Sequence, residues 1–117
     1  MRLRGLAPGA LVVVSLHGPR EKYWGLLVQM GPAGVVVRGI DVNTFDDWLK
    51  QEAGKGDRLL GASTAFFPMA RVERVELDET VGPVPGLSDV FRARTGRDPA
   101  RVLRSGPSTR TRTKAGK

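Results

Sequence analysis

The chain has no cysteine, which excludes disulfides, thiolate nucleophiles and cysteine-based zinc sites, and fits a reducing compartment. It has a single histidine, His17, in "LHGPRE". With no second histidine and no thiol to join it, His17 lacks the partners that a metal centre or a proton relay needs, and it reads as a turn residue. Neither G-x-x-x-x-G-K-[ST] nor G-x-G-x-x-G occurs; "GKGDRLLG" has glycines and a lysine without that spacing, so nucleotide hydrolysis finds no motif. The closest acid pairs, Asp46/Asp47 and Asp78/Glu79, are sequence neighbours. Neighbouring side chains diverge on a helix or a strand, and acid–base chemistry needs them to face one reacting group. Asp41, Asn43, Asp47 and Glu52 fall on four positions of a calcium loop, but Phe45 replaces a ligand and Asp46 replaces the glycine of the sharp turn. Helix capping accounts for these acids better. The expectation is a chain that is not an enzyme and holds no metal or cofactor.

Long apolar runs are also missing: nothing approaches the ~20 residues of a spanning helix. The opening "MRLRGLAPGALVVVSLHG" imitates an export signal, yet Pro8 and Gly9 interrupt its apolar run and no A-x-A-like site follows. A cytoplasmic protein without a membrane partner is expected.

What is present is unevenly distributed. The formal charge of the 117 residues is +7. Residues 1–90 carry 10 Lys/Arg and 11 Asp/Glu, whereas residues 91–117 carry 9 Lys/Arg and only Asp98 as an acid. A near-neutral body with all its basic excess at one end points to a polyanion, above all nucleic acid. The final stretch, "SGPSTRTRTKAGK" (105–117), has no acid and no large apolar residue. It has too little surface to bury to offset the entropy of ordering, so a disordered basic tail is expected.

The body reads as mainly β. "ALVVVSL" (10–16) is apolar on both faces, as a strand covered twice would be. In "EKYWGLLVQM" (21–30) strict alternation places Trp24, Leu26, Val28 and Met30 on one face and Tyr23, Gly25, Leu27 and Gln29 on the other. "GVVVRGI" (34–40) follows after only "GPA", which predicts a hairpin. "TAFFPMARVERVELDE" (64–79) holds one strand to about Pro68 and a second from Val72, with Val75 and Leu77 inward and Arg74 and Glu76 outward. Pro68 cannot donate to a ladder, so the strand must end, bend or lie at an edge there.

One short helix, about 44–53, interrupts the strands. Thr44 with Asp47 resembles a capping box, Phe45, Trp48 and Leu49 share a face, and Gly54 is a natural stop. "TVGPVPG" (80–86) reads as a stiff linker. Residues 87–104 read as a helical extension: Ser88 as N-cap and Gly96 as terminator of one helix, then Asp98 as N-cap and Pro99 at the first position of another that Gly106 ends. Leu87, Val90, Phe91, Val102 and Leu103 can dock on the β body, which leaves Arg92, Arg94, Arg97, Arg101 and Arg104 outside.

The order of these pieces resembles the Sm-like family of small β-barrels over roughly residues 8–79. "YWGLLVQMGPAGVVV" is similar to the family's first motif, with Gly25 at its bend glycine, and "AFFPMARVERVEL" to its second. The resemblance implies a five-stranded barrel, here residues 1–79 with the inserted helix, rings of subunits joined through the fourth and fifth strands, and binding of uridine- or adenine-rich RNA. The family's base-binding positions fall at about Gly31, Gly34 and Met69–Ala70, so none of those residues carries over, and the inserted helix stands where it can cover the assembly edge. RNA contact is therefore expected at Arg92, Arg94, Arg97, Arg101, Arg104, Arg110, Arg112, Lys114 and Lys117, which can neutralise phosphates and release counterions. That segment carries no aromatic, so any stacking on bases has to come from elsewhere. The alternative is a protein-interaction or assembly module, a homo-oligomer through barrel edges, with the tail only a solvated end.

Overall fold

The computed structural model describes residues 5–54 and 59–105. Five antiparallel strands form one sheet: β1 (Leu11–Leu16), β2 (Glu21–Gly31), β3 (Gly34–Asp41), β4 (Ser63–Pro68) and β5 (Val72–Leu77). Their spatial order is β4-β3-β2-β1-β5. The sheet is not closed: β4 and β5 are its edges, and each has a hydrogen-bonded neighbour on one side only. A 3-10 turn (Met69–Arg71) joins these two edge strands directly. Pro68 ends β4 at that edge, where its missing N–H costs no ladder bond.

Both faces of the sheet carry a core. On one, Val12, Val14 and Leu16 of β1 meet Leu27, Val35 and Val37. Phe67 from one edge strand and Val72 and Val75 from the other pack on this same cluster. On the second face, Trp24, Leu26 and Ile40 meet the helices α1 (Phe45–Glu52), α2 (Leu87–Thr95) and α3 (Pro99–Ser105), with Leu11 and Val13 of β1 alongside. β1 is thus covered on both sides, as its unbroken apolar run predicts.

β2 departs from strict alternation. Leu27 pairs with Val37 and Gln29 with Val36, so Val28 is an extra residue in the ladder. One extra residue inverts the faces of everything after it. Val28 is consequently left 45% exposed, and Met30 packs with Leu27 and Val35 instead of with Trp24 and Leu26.

The helices start and stop by partly unexpected means. A 3-10 turn (Val42–Thr44) precedes α1, and Thr44 makes no side-chain cap: its hydroxyl donates to the Asp41 carbonyl, while the Asp41 carboxylate accepts from the Asn43 N–H. The capping box read from Thr44 and Asp47 is therefore replaced by a turn capped one step earlier. Ser88 likewise does not cap α2. It is buried one residue inside the helix, and its N–H donates at 2.7 Å to Asp78, the residue just after β5. Gly96, at φ +72°, terminates α2, and Asp98 accepts from the Ala100 N–H at the start of α3, both as expected. Gly106 and the whole segment 106–117 lie outside the described residues.

Beyond α1 the chain is held by one buried amide. Gln51 donates through Nε2 to the Leu60 carbonyl at 2.6 Å and accepts at Oε1 from the N–H groups of Leu59 and Leu60 at 2.7 and 2.8 Å. Leu59 is 83% exposed, so this amide, rather than burial, fixes the course of the return into β4. Gln51→Leu is expected to cost roughly 1–2 kcal/mol. It should also accelerate hydrogen exchange at Leu59 and Leu60; unchanged protection there would show that the amide is not the tether.

Candidate nucleic-acid interface

The C-terminal arginines are positioned by how α2 and α3 dock. Phe91 and Leu103 are fully buried on the helix-bearing face, and Leu87, Val90 and Val102 pack beside them. The Phe91 ring stacks on Trp48 of α1 with centroids 5.0 Å apart and planes at 21°. At the entry of α2 the Asp78 carboxylate accepts from the Leu87 and Ser88 N–H groups and from the Trp24 indole N–H, at 2.7–2.8 Å. A carboxylate at a helix N-terminus satisfies free N–H groups and meets the positive end of the helix dipole. At the far end, Arg38 of β3 donates through Nε to the Leu103 carbonyl at 2.9 Å, a complementary cation near the C-terminus of α3.

With its apolar side pinned, the extension turns all five of its described arginines to solvent, as the sequence implies. They are not equivalent. Arg92 pairs with Asp89 at 3.2 Å and lies 3.8 Å from Asp98. Arg97 pairs with Glu52 at 3.0 Å, donates to the Glu52 carbonyl, and sits over the Phe91 ring at 5.9 Å. These two fasten the extension to itself and to α1. Arg94, Arg101 and Arg104 have no acidic partner among the described residues, so their charge is available to a ligand. Arg110, Arg112, Lys114 and Lys117 lie outside the described residues.

Two clefts border the extension. One, about 490 Å³, lies at the α2–α3 turn between Arg97, Asp98 and Arg101. Its Asp98 opposes an anion. The other, about 290 Å³, is lined by Pro8, Gly9, Leu26, Val28, Arg38 and Arg104, with Leu27 and Thr64 completing it and no acid among them. No run of residues marks this cleft in the sequence, because it depends on the bulge at Val28 and on where α3 ends. One signal was present: Arg38 is the single charge in the apolar run "GVVVRGI", and a cation placed there has to reach a partner or an opening.

The acids weighed for calcium are dispersed in other tasks, Asp41 to Asn43 and Glu52 to Arg97. Among the described residues no group of three or more His, Cys, Asp or Glu side chains is arranged to hold a metal ion, and no helix is long and apolar enough to cross a membrane. The chain matches no protein-family model, no curated protein and no solved structure.

Proposed function

We propose that this is a non-catalytic, RNA-associated protein of the small-barrel type, whose basic C-terminal end contacts the phosphate backbone. The observation that carries this reading is the set of exposed arginines without an acidic partner among the described residues, Arg94, Arg101 and Arg104, on helices whose other side is anchored in the core. From Arg101 on, the chain runs through Arg104 to Arg110, Arg112, Lys114 and Lys117 with no acid between. Cations on an ordered platform followed by a cationic extension suit a polyanion, which they bind through counterion release. The Sm-like part of the reading rests on the resemblance over residues 8–79; the structure supplies the coarser ground, one five-stranded antiparallel sheet whose edge strands pack on one cluster.

The test is fluorescence anisotropy on a single-stranded RNA and on a duplex, comparing the full chain with residues 1–104. Between about 50 and about 200 mM salt the full chain should lose affinity steeply, and each of Arg94→Gln, Arg101→Gln and Arg104→Gln should flatten the salt slope by roughly one unit. Binding that is insensitive to salt and to truncation would overturn the proposal.

One set of observations favours a second reading, an assembly module. Both edge strands have a free side, and Phe66 of β4 and Met69 after it are exposed. Sedimentation that gives a strict monomer at all concentrations would exclude it.

A further inference from the structure

The helices cover the helix-bearing face only in part. They sit over Trp24, Leu26 and Ile40, toward one end of β2 and β3. Toward the hairpin end, the same face of β3 presents Val36 and Arg38, and their ladder partners on β4 are Phe66 and Thr64. Phe66 is 55% exposed, although most of the chain's other aromatics are buried or half-buried. Its ring lies over Gly34, where any side chain would strike it. Thr64 and Arg38 line the 290 Å³ cleft. Phe66 stands two residues along β4 from Thr64 on the same face, about 7 Å away along the strand. A flat apolar ring thus stands one same-face step along β4 from Thr64, at the rim of a cleft lined by Leu26, Leu27 and Val28 and by two guanidinium groups.

Both guanidiniums have capacity to spare. Arg38 uses Nε for the Leu103 carbonyl, and among the described residues nothing accepts from its terminal nitrogens. Arg104 is exposed and without an acidic partner among the described residues. The charge selects the ligand: two cations and no acid favour an anion, and the exposed aromatic and apolar floor favour a planar, weakly polar group attached to it. A nucleotide unit combines the two. Duplex hides the faces of its bases, so only an unpaired strand can offer one to Phe66.

We propose that Phe66 and the Arg38–Arg104 cleft form a binding site for single-stranded nucleic acid, with a base stacked on the Phe66 ring and the adjoining phosphate held by Arg104 and Arg38. This rests on the RNA-associated reading above and deepens it. The arginines of the extension supply backbone affinity for any polyanion, and the Phe66 site supplies preference for an unpaired strand. It also provides the aromatic partner that the C-terminal segment lacks.

The test uses the full chain, a fluorescently labelled single-stranded RNA dodecamer, a duplex of the same length, and the variants Phe66→Ala, Arg104→Gln and Arg20→Gln. Arg20 is exposed in the β1–β2 turn, at the opposite end of β2 from the bulge, and controls for loss of one positive charge. Phe66→Ala should weaken single-strand binding by roughly 5- to 100-fold and leave duplex binding and the salt slope unchanged, in keeping with the worth of one stacked base. Arg104→Gln should weaken both and flatten the salt slope by about one unit, more than Arg20→Gln does. A Phe66→Ala protein that binds the single strand as tightly as wild type overturns this site but leaves the backbone-binding reading standing. A wild-type protein that binds neither RNA overturns both. If that protein also self-associates and Phe66→Ala makes it monomeric, the face belongs to a second copy of the chain.

Discussion

Replacing Gly39 with alanine is expected to destabilise the protein by about 3 kcal/mol or more, at or above the top of the usual overpacking range. Gly39 pairs with Gly25 across β2 and β3, and the two backbones approach so closely that a methyl group on Gly39 would land on the Trp24 carbonyl oxygen and 2.6 Å from the Gly25 Cα. The reverse substitution, Gly25→Ala, meets the Arg38 carbonyl oxygen and the Gly39 Cα in the same way. Backbone atoms in a paired ladder cannot swing aside as the end of a side chain can, so relief requires the strands to separate. They cannot do so freely, because Trp24 is buried against α1 and α2. Tyr23 adds to the constraint by donating to the Gly39 carbonyl at 3.1 Å and meeting the Ser63 hydroxyl at 2.9 Å, which ties β2 to β3 and β4. A loss of that size is a large part of the roughly 5–15 kcal/mol that holds an ordinary domain folded. Gly31→Ala is the control: it lies in β2, the strand of Gly25, and has no atom within 4 Å of an added methyl and no positive φ, so it should change stability by no more than about 0.5 kcal/mol. Urea denaturation followed by tryptophan fluorescence separates the two, and a Gly39→Ala protein as stable as Gly31→Ala would refute the close-approach argument.

Asp78→Ala is expected to cost roughly 3 kcal/mol, because one carboxylate serves three donors, Trp24 from β2 and the neighbours Leu87 and Ser88 from α2. Its removal leaves the Trp24 indole N–H without an acceptor in a buried site and frees two N–H groups at the start of α2. Asp78→Asn should be milder but still destabilising, since its amide presents a donor where either a backbone N–H or the indole requires an acceptor. The damage should be regional. α2 and α3 carry Phe91 and Leu103 into the core, so hydrogen exchange should quicken in 87–105 before it does in β1–β3. Loss confined to α2 and α3 should also weaken the nucleic-acid binding proposed above, because Arg94, Arg101 and Arg104 hold their arrangement only while those helices are docked. An Asp78→Ala protein within about 0.5 kcal/mol of wild type would mean that packing of Phe91 and Leu103 suffices without the carboxylate.

These two residues mark where the sequence was legible and where it was not. Gly25 is visible in "YWGLL", but its partner Gly39 is not marked as such in "VVVRGI"; the close approach exists only once the hairpin register sets one against the other. Asp78 looks like one of two acids at a strand end, and Ser88 looks like the cap it is not. A local side chain and a remote carboxylate satisfy the same N–H groups equally well, and nothing in a single run of residues says which will arrive. The same holds for Val28 and Met30, where the apolar pattern reads as strict alternation and the bulge that inverts it comes from pairing with β3.

The amino-acid sequence by itself determined the five strands, the short helix between the third and fourth, the two helices after them, and the segregation of charge toward the C-terminal end. Each depends on local periodicity, turn residues or composition, which the chain carries without reference to any fold. Tertiary structure decided which of the arginines keep no acidic partner among the described residues. Arg92 stands three residues after Asp89, a helical spacing the sequence displays. Arg97 is indistinguishable in sequence from Arg94, Arg101 and Arg104, yet it is drawn to Glu52, 45 residues away. Tertiary structure also brought Arg38 and Arg104 to one cleft from a strand and a helix far apart in the chain, with Phe66 two residues along β4 from Thr64 of its lining. A charge is available to a ligand only if no neighbour has claimed it, and neighbours separated by dozens of residues are assigned by packing.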